Sequence, residues 1–293
     1  MTRLIDSLAE LSGAYDTLFC DLWGCVHNGI RPFPEAVRAL QSFRAEGGAV
    51  VLMTNAPRPE RTVRAMLEAM ALAQDSFDLI VSSGDAAQRS MFAGDAGRRV
   101  WHIGTEKDLP FFEDIPEHLG DHPPVERVGF SEAEGIVCTG LFDEMAESPE
   151  DYRGRFLVAR DRGLRMLCAN PDIVVDWGDR RLWCAGALAA LYTEIGGEAL
   201  YFGKPYPPIY DMARDRLARI GRSTPDERIL ALGDGIETDI RGGMGEGIDT
   251  LFITGGLAAG EFGGTPDRPD PDKLTAWLDE RQATPTFAMG RLR

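Results

Sequence analysis

At 293 residues, with 44% hydrophobic and 27% charged side chains, the chain can bury one large or two ordinary cores and reads as a globular protein. Its 47 acidic against 31 basic residues leave a formal charge of -16, a field that repels polyanions and argues against nucleic acid and anionic membrane as partners. The opening MTRLIDSLAEL carries Asp6 and Glu10 where a secretory leader needs unbroken apolar residues, and no transmembrane run follows, so the expected location is cytoplasmic. Five scattered cysteines, Cys20, Cys25, Cys138, Cys168 and Cys184, suit reduced, buried thiols better than a disulfide framework.

In chain order, TLFCD reads as a strand and PEAVRALQSFRAEGG as a helix with proline near its start and glycine past its end. AVVLMTN follows as a strand and RPERTVRAMLEAMAL as a helix. RRVWHIG, EGIVCTGL, DYRGRFLVARDRG and LRMLCANPD form a second α/β stretch. After EALYFGKP come a helix (PPIYDMARDRLARIG), a strand (RILALGD), a short helix (IETDIRGGMGEG) and a strand (DTLFITGG). The alternation predicts an α/β fold with a largely parallel sheet, its core built from residues 1–81 and 201–293 and interrupted by an inserted α/β domain at residues 82–200. The tail after Gln282 is expected to be loosely held.

Polar residues stand where the host strands end. Asp21 follows LFC, Thr54 and Asn55 follow VVLM, Gly203 and Lys204 follow LYF, and Asp234 follows LALG with Asp239 five residues on. In open parallel sheets ligands bind outside the carboxyl ends of the strands, so these groups should converge. Several carboxylates crowded together are costly unless a cation neutralises them, and Mg2+ suits aspartate oxygens, water and a phosphate oxygen. This chemistry makes Asp21 a nucleophile toward phosphorus, with Mg2+ and Lys204 offsetting charge and Thr54 and local amides donating hydrogen bonds to the transferring group. A lone aspartate after a strand is more often a cap, and Thr54 and Asn55 could equally cap the turn before APRPE; it is Asp21, Asp234 and Lys204 together that argue for chemistry.

The ordered set DLWG (Asp21 to Gly24), TN, GKP and GDGIETDI resembles the four motifs of the haloacid dehalogenase superfamily of phosphatases. The insertion between the second and third motifs resembles a C2 cap, and NPD, GKP and GDxxxTD followed by TGG resemble the class IIA, NagD-like branch. The likeness spans about Asp16 to Gly256. It implies a Rossmann-like core with a parallel sheet, Asp21 as nucleophile, Thr54 as phosphate-binding hydroxyl and Lys204 as charge-stabilising lysine. It further implies Asp234 as a magnesium ligand, Asp239 as support of the metal site directly or through water, and the backbone carbonyl of Trp23 as a metal ligand. Asn170 and Asp172 in CANPD, an ordinary turn on the residues alone, gain a substrate-facing role from the likeness.

One position departs. Family phosphatases carry a second aspartate where this chain has Trp23, and an indole can neither protonate a leaving oxygen nor activate water. Three readings stand open: His27, four residues on in the mobile-looking GCVHNG, supplies the proton; a good leaving group needs none; or the site binds a phosphorylated metabolite without turning it over. The leading expectation is Mg2+-dependent hydrolysis of a small phosphomonoester through an aspartyl phosphate, with a non-catalytic phosphometabolite sensor as the alternative. Transfer to an acceptor other than water is a third reading.

The remaining signals are weaker. Cys25 lacks a CxxC partner, and GGMGEG and TGGLAAGEFGG read as turns. His102, His118 and His122 lack metal-ligand spacing. Trp101, Phe111 and Phe112 read as cap core or as the surface of a homodimer formed through the cap, an assembly that stays open.

Overall fold

A computed structural model describes residues 2–113, 115, 116, 119–177 and 180–293, the side chains of residues 176 and 177 excepted; His118 lies outside the described residues. The chain divides into two compact units, one of residues 1–54, 64–81 and 210–293, the other of residues 55–63 and 82–209. Its strands are β1 Arg3–Leu4, β2 Thr17–Asp21, β3 Ala49–Thr54, β4 Leu79–Ser82, β5 Arg99–Ile103, β6 Glu126–Arg127 and β7 Gly135–Cys138. They continue with β8 Arg165–Cys168, β9 Val174–Trp177, β10 Arg180–Trp183, β11 Glu198–Tyr201, β12 Ile229–Gly233, β13 Asp249–Ile253 and β14 Phe287–Met289.

In the first unit a seven-stranded sheet runs β1-β14-β13-β12-β2-β3-β4, parallel from β1 through β3. Its central strands β2 and β12 are buried along their whole length, which is why TLFCD and ILALG read as unbroken apolar runs rather than alternating ones. Chain order reverses between β12 and β2, so the crevice outside their carboxyl ends is the topological switch point of the sheet, and Asp21 and Asp234 stand there. Helices Pro34–Ala45 and Pro207–Arg219 form where proline opens a periodic apolar stripe, as the sequence predicts.

The tail is not loosely held. β14 lies between β13 and β1, with Ala288 and Met289 fully buried and Leu292 nearly so. Three residues of strand are too few to show a period, and what fixes them is pairing with chain far away in sequence.

In the second unit a five-stranded, all-parallel sheet runs β11-β8-β7-β5-β6, and β9 and β10 form a separate antiparallel pair. Trp101, Tyr152, Phe156 and Tyr192 share one apolar cluster of this unit, and Phe111 belongs to a second. The sequence places EALYFGKP in the host sheet; instead β11 pairs with β8, so Lys204 leaves a strand of the second unit. Asn55 also groups there, because its side chain is tied to the main chain of Lys204. None of the five cysteines forms a disulfide, and all five are buried. Among the described residues no helix is long and apolar enough to cross a membrane.

The tail supplies a stability test. Leu292→Ala should cost about 2–4 kcal/mol in urea denaturation, the usual result of truncating a buried leucine. A loss below about 0.5 kcal/mol, the size of an ordinary surface substitution, would return the tail to the loosely held class.

Candidate active site

In the first unit Asp21 ends β2 and Asp234 follows β12, and both are buried, at 8% and 5% exposure. One ligand atom from each of Asp21, Asp234 and Cys25 lies within 4.8 Å of the others. Two glycines permit the approach. A Cβ on Gly24 or on Gly256 would fall 2.0 Å from Asp234 Oδ2, and Gly24 also adopts φ +78°, so neither position accepts a side chain without displacing the carboxylate. The same Oδ2 accepts a hydrogen bond from the Leu257 amide at 2.8 Å. The TGG phrase, read as a turn from sequence, thus forms one wall of the carboxylate site. Backbone donors carry no residue signature, and only the repeated glycines hint at them.

Asp239 sits on a π-turn, Ile236–Ile240, and its Oδ2 accepts from the Gly235 amide at 3.1 Å and faces Thr238 Oγ1 at 3.4 Å. Gly233 has no room for a Cβ because the Asp239 carboxyl carbon would lie 2.0 Å away. Asp239 therefore braces the loop that carries Asp234. Burial, with the Asp234 and Asp21 carboxylates beside it, pushes the Cys25 thiol well up, so it stays protonated at neutral pH and offers no thiolate.

Trp23 is half-buried and folded onto its own loop. Its ring rests on Gly29, where a Cβ would come within 2.3 Å of Cη2, and meets the His27 ring edge-on at 5.4 Å between centroids. The loop is not mobile-looking in the structure: the His27 amide donates to the Leu22 carbonyl, the Gly24 amide to the His27 carbonyl, and His27 is 1% exposed. His27 Nδ1 accepts from the Gly29 amide at 3.0 Å, which puts the ring proton on Nε2, a buried atom with no hydrogen-bond partner among the described residues. Burial holds the imidazole down at about 4. These surroundings do not suit the acid expected from sequence, because at neutral pH the ring carries no second proton to give.

In the second unit Asn55 makes a knot. Its Nδ2 donates to Asp172 Oδ1 at 2.7 Å and to the Lys204 carbonyl at 3.0 Å, and its Oδ1 accepts from the Lys204 amide at 2.7 Å. Gly203 must be glycine, since a Cβ there would lie 2.4 Å from Asn55 Oδ1. The Asn170 side chain accepts from the Asp172 amide at 3.0 Å, closing the turn that presents Asp172. The structure thus joins Asn55, Asp172 and Lys204, gives Asn170 the turn, and leaves Thr54 at the end of β3 in the first unit.

A parallel α/β sheet with buried aspartates at its switch point defines a Rossmann-like core whose ligand crevice lies at those aspartates. The profile of haloacid dehalogenase-like hydrolases matches residues 18–115 and a second HAD-hydrolase-like profile matches residues 201–275. A haloacid dehalogenase-like hydrolase from Brucella suis 1330, solved by crystallography, is 39% identical over 99% of this chain and 100% of that one, with a TM-score of 0.84. The chain belongs to the haloacid dehalogenase-like family, on its class IIA, NagD-like branch. It is 23% identical to the ribonucleotide monophosphatase NagD of Escherichia coli over 86% of this chain and 93% of that protein. A glycerol phosphate phosphatase of Mycobacterium tuberculosis, solved with magnesium, is 25% identical over 86% of this chain and 71% of that one, with a TM-score of 0.61.

Two outcomes check this geometry. Gly256→Ala should weaken divalent-metal binding in a calorimetric titration by about tenfold or more, although no carboxylate is removed, because the new methyl displaces Asp234 Oδ2; unchanged affinity would free Asp234 from that wall. The second concerns pH. Between pH 6.5 and about 4 the unfolded chain binds a proton at His27 and the folded chain does not, so stability falls on acidification through that window and is untouched above it. His27→Gln should recover roughly 2 kcal/mol of the loss measured between pH 7 and pH 4.5 by denaturant titration; His102, held at about 4 in the same way, retains its share.

Proposed function

We propose that the protein hydrolyses small phosphomonoesters with Mg2+, Asp21 attacking phosphorus to form an aspartyl phosphate. The observation that carries this reading is the buried pair Asp21 and Asp234, ligand atoms within 4.8 Å, packed so tightly that glycine is required on two sides. Like charges at that range are retained where a cation joins them, and a donor set of carboxylate oxygens fits a hard divalent ion. Asp21, Asp234 and the Trp23 carbonyl would hold it, with Asp239 in support. When bound, Mg2+ supplies positive charge to the phosphoryl oxygens.

The protein's own groups do the rest. A carboxylate oxygen of Asp21 forms a bond to phosphorus while the ester P–O bond breaks and its electron pair leaves with the substrate oxygen. Water then attacks the acyl phosphate, releasing phosphate and regenerating the carboxylate. Thr54 donates to the phosphoryl oxygens, and we assign Lys204 the charge-offsetting role of its motif, with the second unit acting as a C2-type cap whose Asn55 and Asp172 fix Lys204. Trp23 gives no proton, so the leaving oxygen is protonated by water or by the substrate itself, and substrates with acidic leaving groups are favoured.

A second reading follows from Trp23 and His27 alone. With an indole at the acid position and the nearby imidazole neutral and locked, the site would bind phosphorylated metabolites without turnover.

Asp21→Asn should reduce phosphate release to background with the fold retained. Wild type should turn over p-nitrophenyl phosphate faster than an alkyl phosphate, and Trp23→Asp should raise kcat/KM for the alkyl ester by tenfold or more. Tight phosphate binding with no turnover of either ester would favour the second reading.

A further inference from the structure

The carboxylate site of the first unit holds a sulfur that the proposed reaction does not use. Cys25 lies four residues after Asp21 and is 1% exposed, and its Sγ stands within 4.8 Å of an oxygen of Asp21 and of Asp234. The turn that carries it is tied at both ends: the Val26 and His27 amides donate to the Leu22 carbonyl at 2.9 and 3.1 Å, and the Gly24 amide donates to the His27 carbonyl at 2.9 Å. Buried on so short a loop, the side chain stays aimed at the carboxylates.

Its partners set it apart from the other cysteines. Cys20 donates to the Asp21 carbonyl at 3.2 Å, Cys138 to the Gly140 carbonyl at 3.7 Å and Cys168 to the Asn170 carbonyl at 3.2 Å, while the Asn170 side chain bonds Cys184. Among the described residues Cys25 Sγ makes no hydrogen bond, and the titratable groups that act on it are Asp234, Asp21, Cys20 and Asp239. Buried polar side chains are ordinarily satisfied, so an unpartnered one directed at two carboxylates marks a place for something that bonds all three. Packing alone would be served as well by alanine or valine, with no sulfur beside the acids.

Donor chemistry narrows what that is. Mg2+ takes oxygens and keeps several waters, so a sulfur adds nothing to its site. Zn2+ and Co2+ accept thiolate together with carboxylate, and Zn2+ does so in tetrahedral sites that can leave one position to water. Zn–S bonds of about 2.3 Å and Zn–O bonds of about 2.0 to 2.2 Å place ligand atoms roughly 3.5 Å apart, so three atoms already within 4.8 Å of one another close on such an ion with side-chain shifts of about 1 Å.

We propose that Cys25 is a third protein ligand for a thiophilic divalent cation, Zn2+ above all, so that the site answers to two classes of metal: Mg2+ through oxygens alone, and Zn2+ through Asp21, Asp234 and Cys25. The inference rests on the metal site of the reading above and makes Zn2+ a competitor of Mg2+ there. As the bond from sulfur to metal forms, the S–H bond breaks and its proton passes to solvent, as coordination of a thiol requires.

The test is optical and calorimetric, on the full chain stripped of metal by a chelator. Co2+ should raise the near-ultraviolet charge-transfer band of a cobalt thiolate, saturating at equimolar metal. The band should vanish in Cys25→Ser and in Cys25→Ala, the alanine variant serving if the serine hydroxyl unsettles the core. Zn2+ affinity should fall by about tenfold or more in either variant, the loss that removing even a group behind a ligand can cost a metal site, while Mg2+ affinity moves much less. Added Mg2+ should weaken Zn2+ binding by the wild type. No cobalt band in the wild type, a band that survives in both variants, Zn2+ affinity untouched by loss of the thiol, or Zn2+ binding indifferent to Mg2+ would each overturn the proposal. Phosphate release is scored separately. A Cys25-dependent cobalt band in a protein that binds Mg2+ but releases no phosphate would sink the phosphatase reading and keep this assignment, and Mg2+-dependent release without the band would do the reverse.

Discussion

The first unit is organised around one carboxylate. Asp234 is bonded by the Leu257 amide and enclosed by Gly24 and Gly256 at distances no side chain tolerates. Each neighbour depends in turn on something further out. The Thr254 and Gly255 amides donate to the Met289 and Gly290 carbonyls, so the loop bearing Gly256 is fastened to the strand that closes the chain. Gly24 is held through the His27 carbonyl, and Asp239 grips the Gly235 amide behind Asp234. An anion so enclosed is stable only with its lone pairs satisfied and its charge answered, which is why the packing itself points to a cation.

The second unit solves a different problem by similar means. Lys204 is long, charged and nearly inaccessible, and its backbone is fixed on both faces by one side-chain amide, that of Asn55. An asparagine can do this because it offers donor and acceptor on one planar group; aspartate would repel the Asp172 oxygen it now binds. The same segment continues to Arg58, so residues 55 to 60 act as a short rail across the carboxyl edge of the sheet, clamped by the helix Ser83–Ala93 beneath it.

Much of this was legible in the sequence. A strand buried on both faces writes a continuous apolar run, and a polar residue at its end stands out against it, so Asp21 and Asp234 could be found without coordinates. LYFGKP could not be assigned to a sheet, because a buried strand looks alike whichever partner it pairs with, and that partner, β8, is more than thirty residues upstream. The short terminal strand failed for a related reason: its burial comes from β13 and β1, not from any local period. His27 misled through its chemistry, since a titratable ring near a missing acid invites that role until its surroundings are known to be dry. The wall made by Gly256 and Leu257 is built from main chain, which the sequence records only as permissive glycine.

Trp23 shows what the chain has exchanged. A second aspartate at that position would add a fourth carboxylate near Asp21, Asp234 and Asp239, and would supply acid-base catalysis of about 10² to 10⁴ in rate. The indole contributes neither charge nor proton; it packs on Gly29 and against His27 and stiffens the loop that positions Gly24. The cluster therefore needs less compensating charge, and its geometry is set by packing in place of electrostatic balance. On the proposed reading the cost falls on the leaving group, which takes its proton from water or from the substrate itself. On that reading, substrate binding energy spent away from phosphorus gains most, because it orients the ester for in-line attack without entering the proton transfer that an indole does not supply.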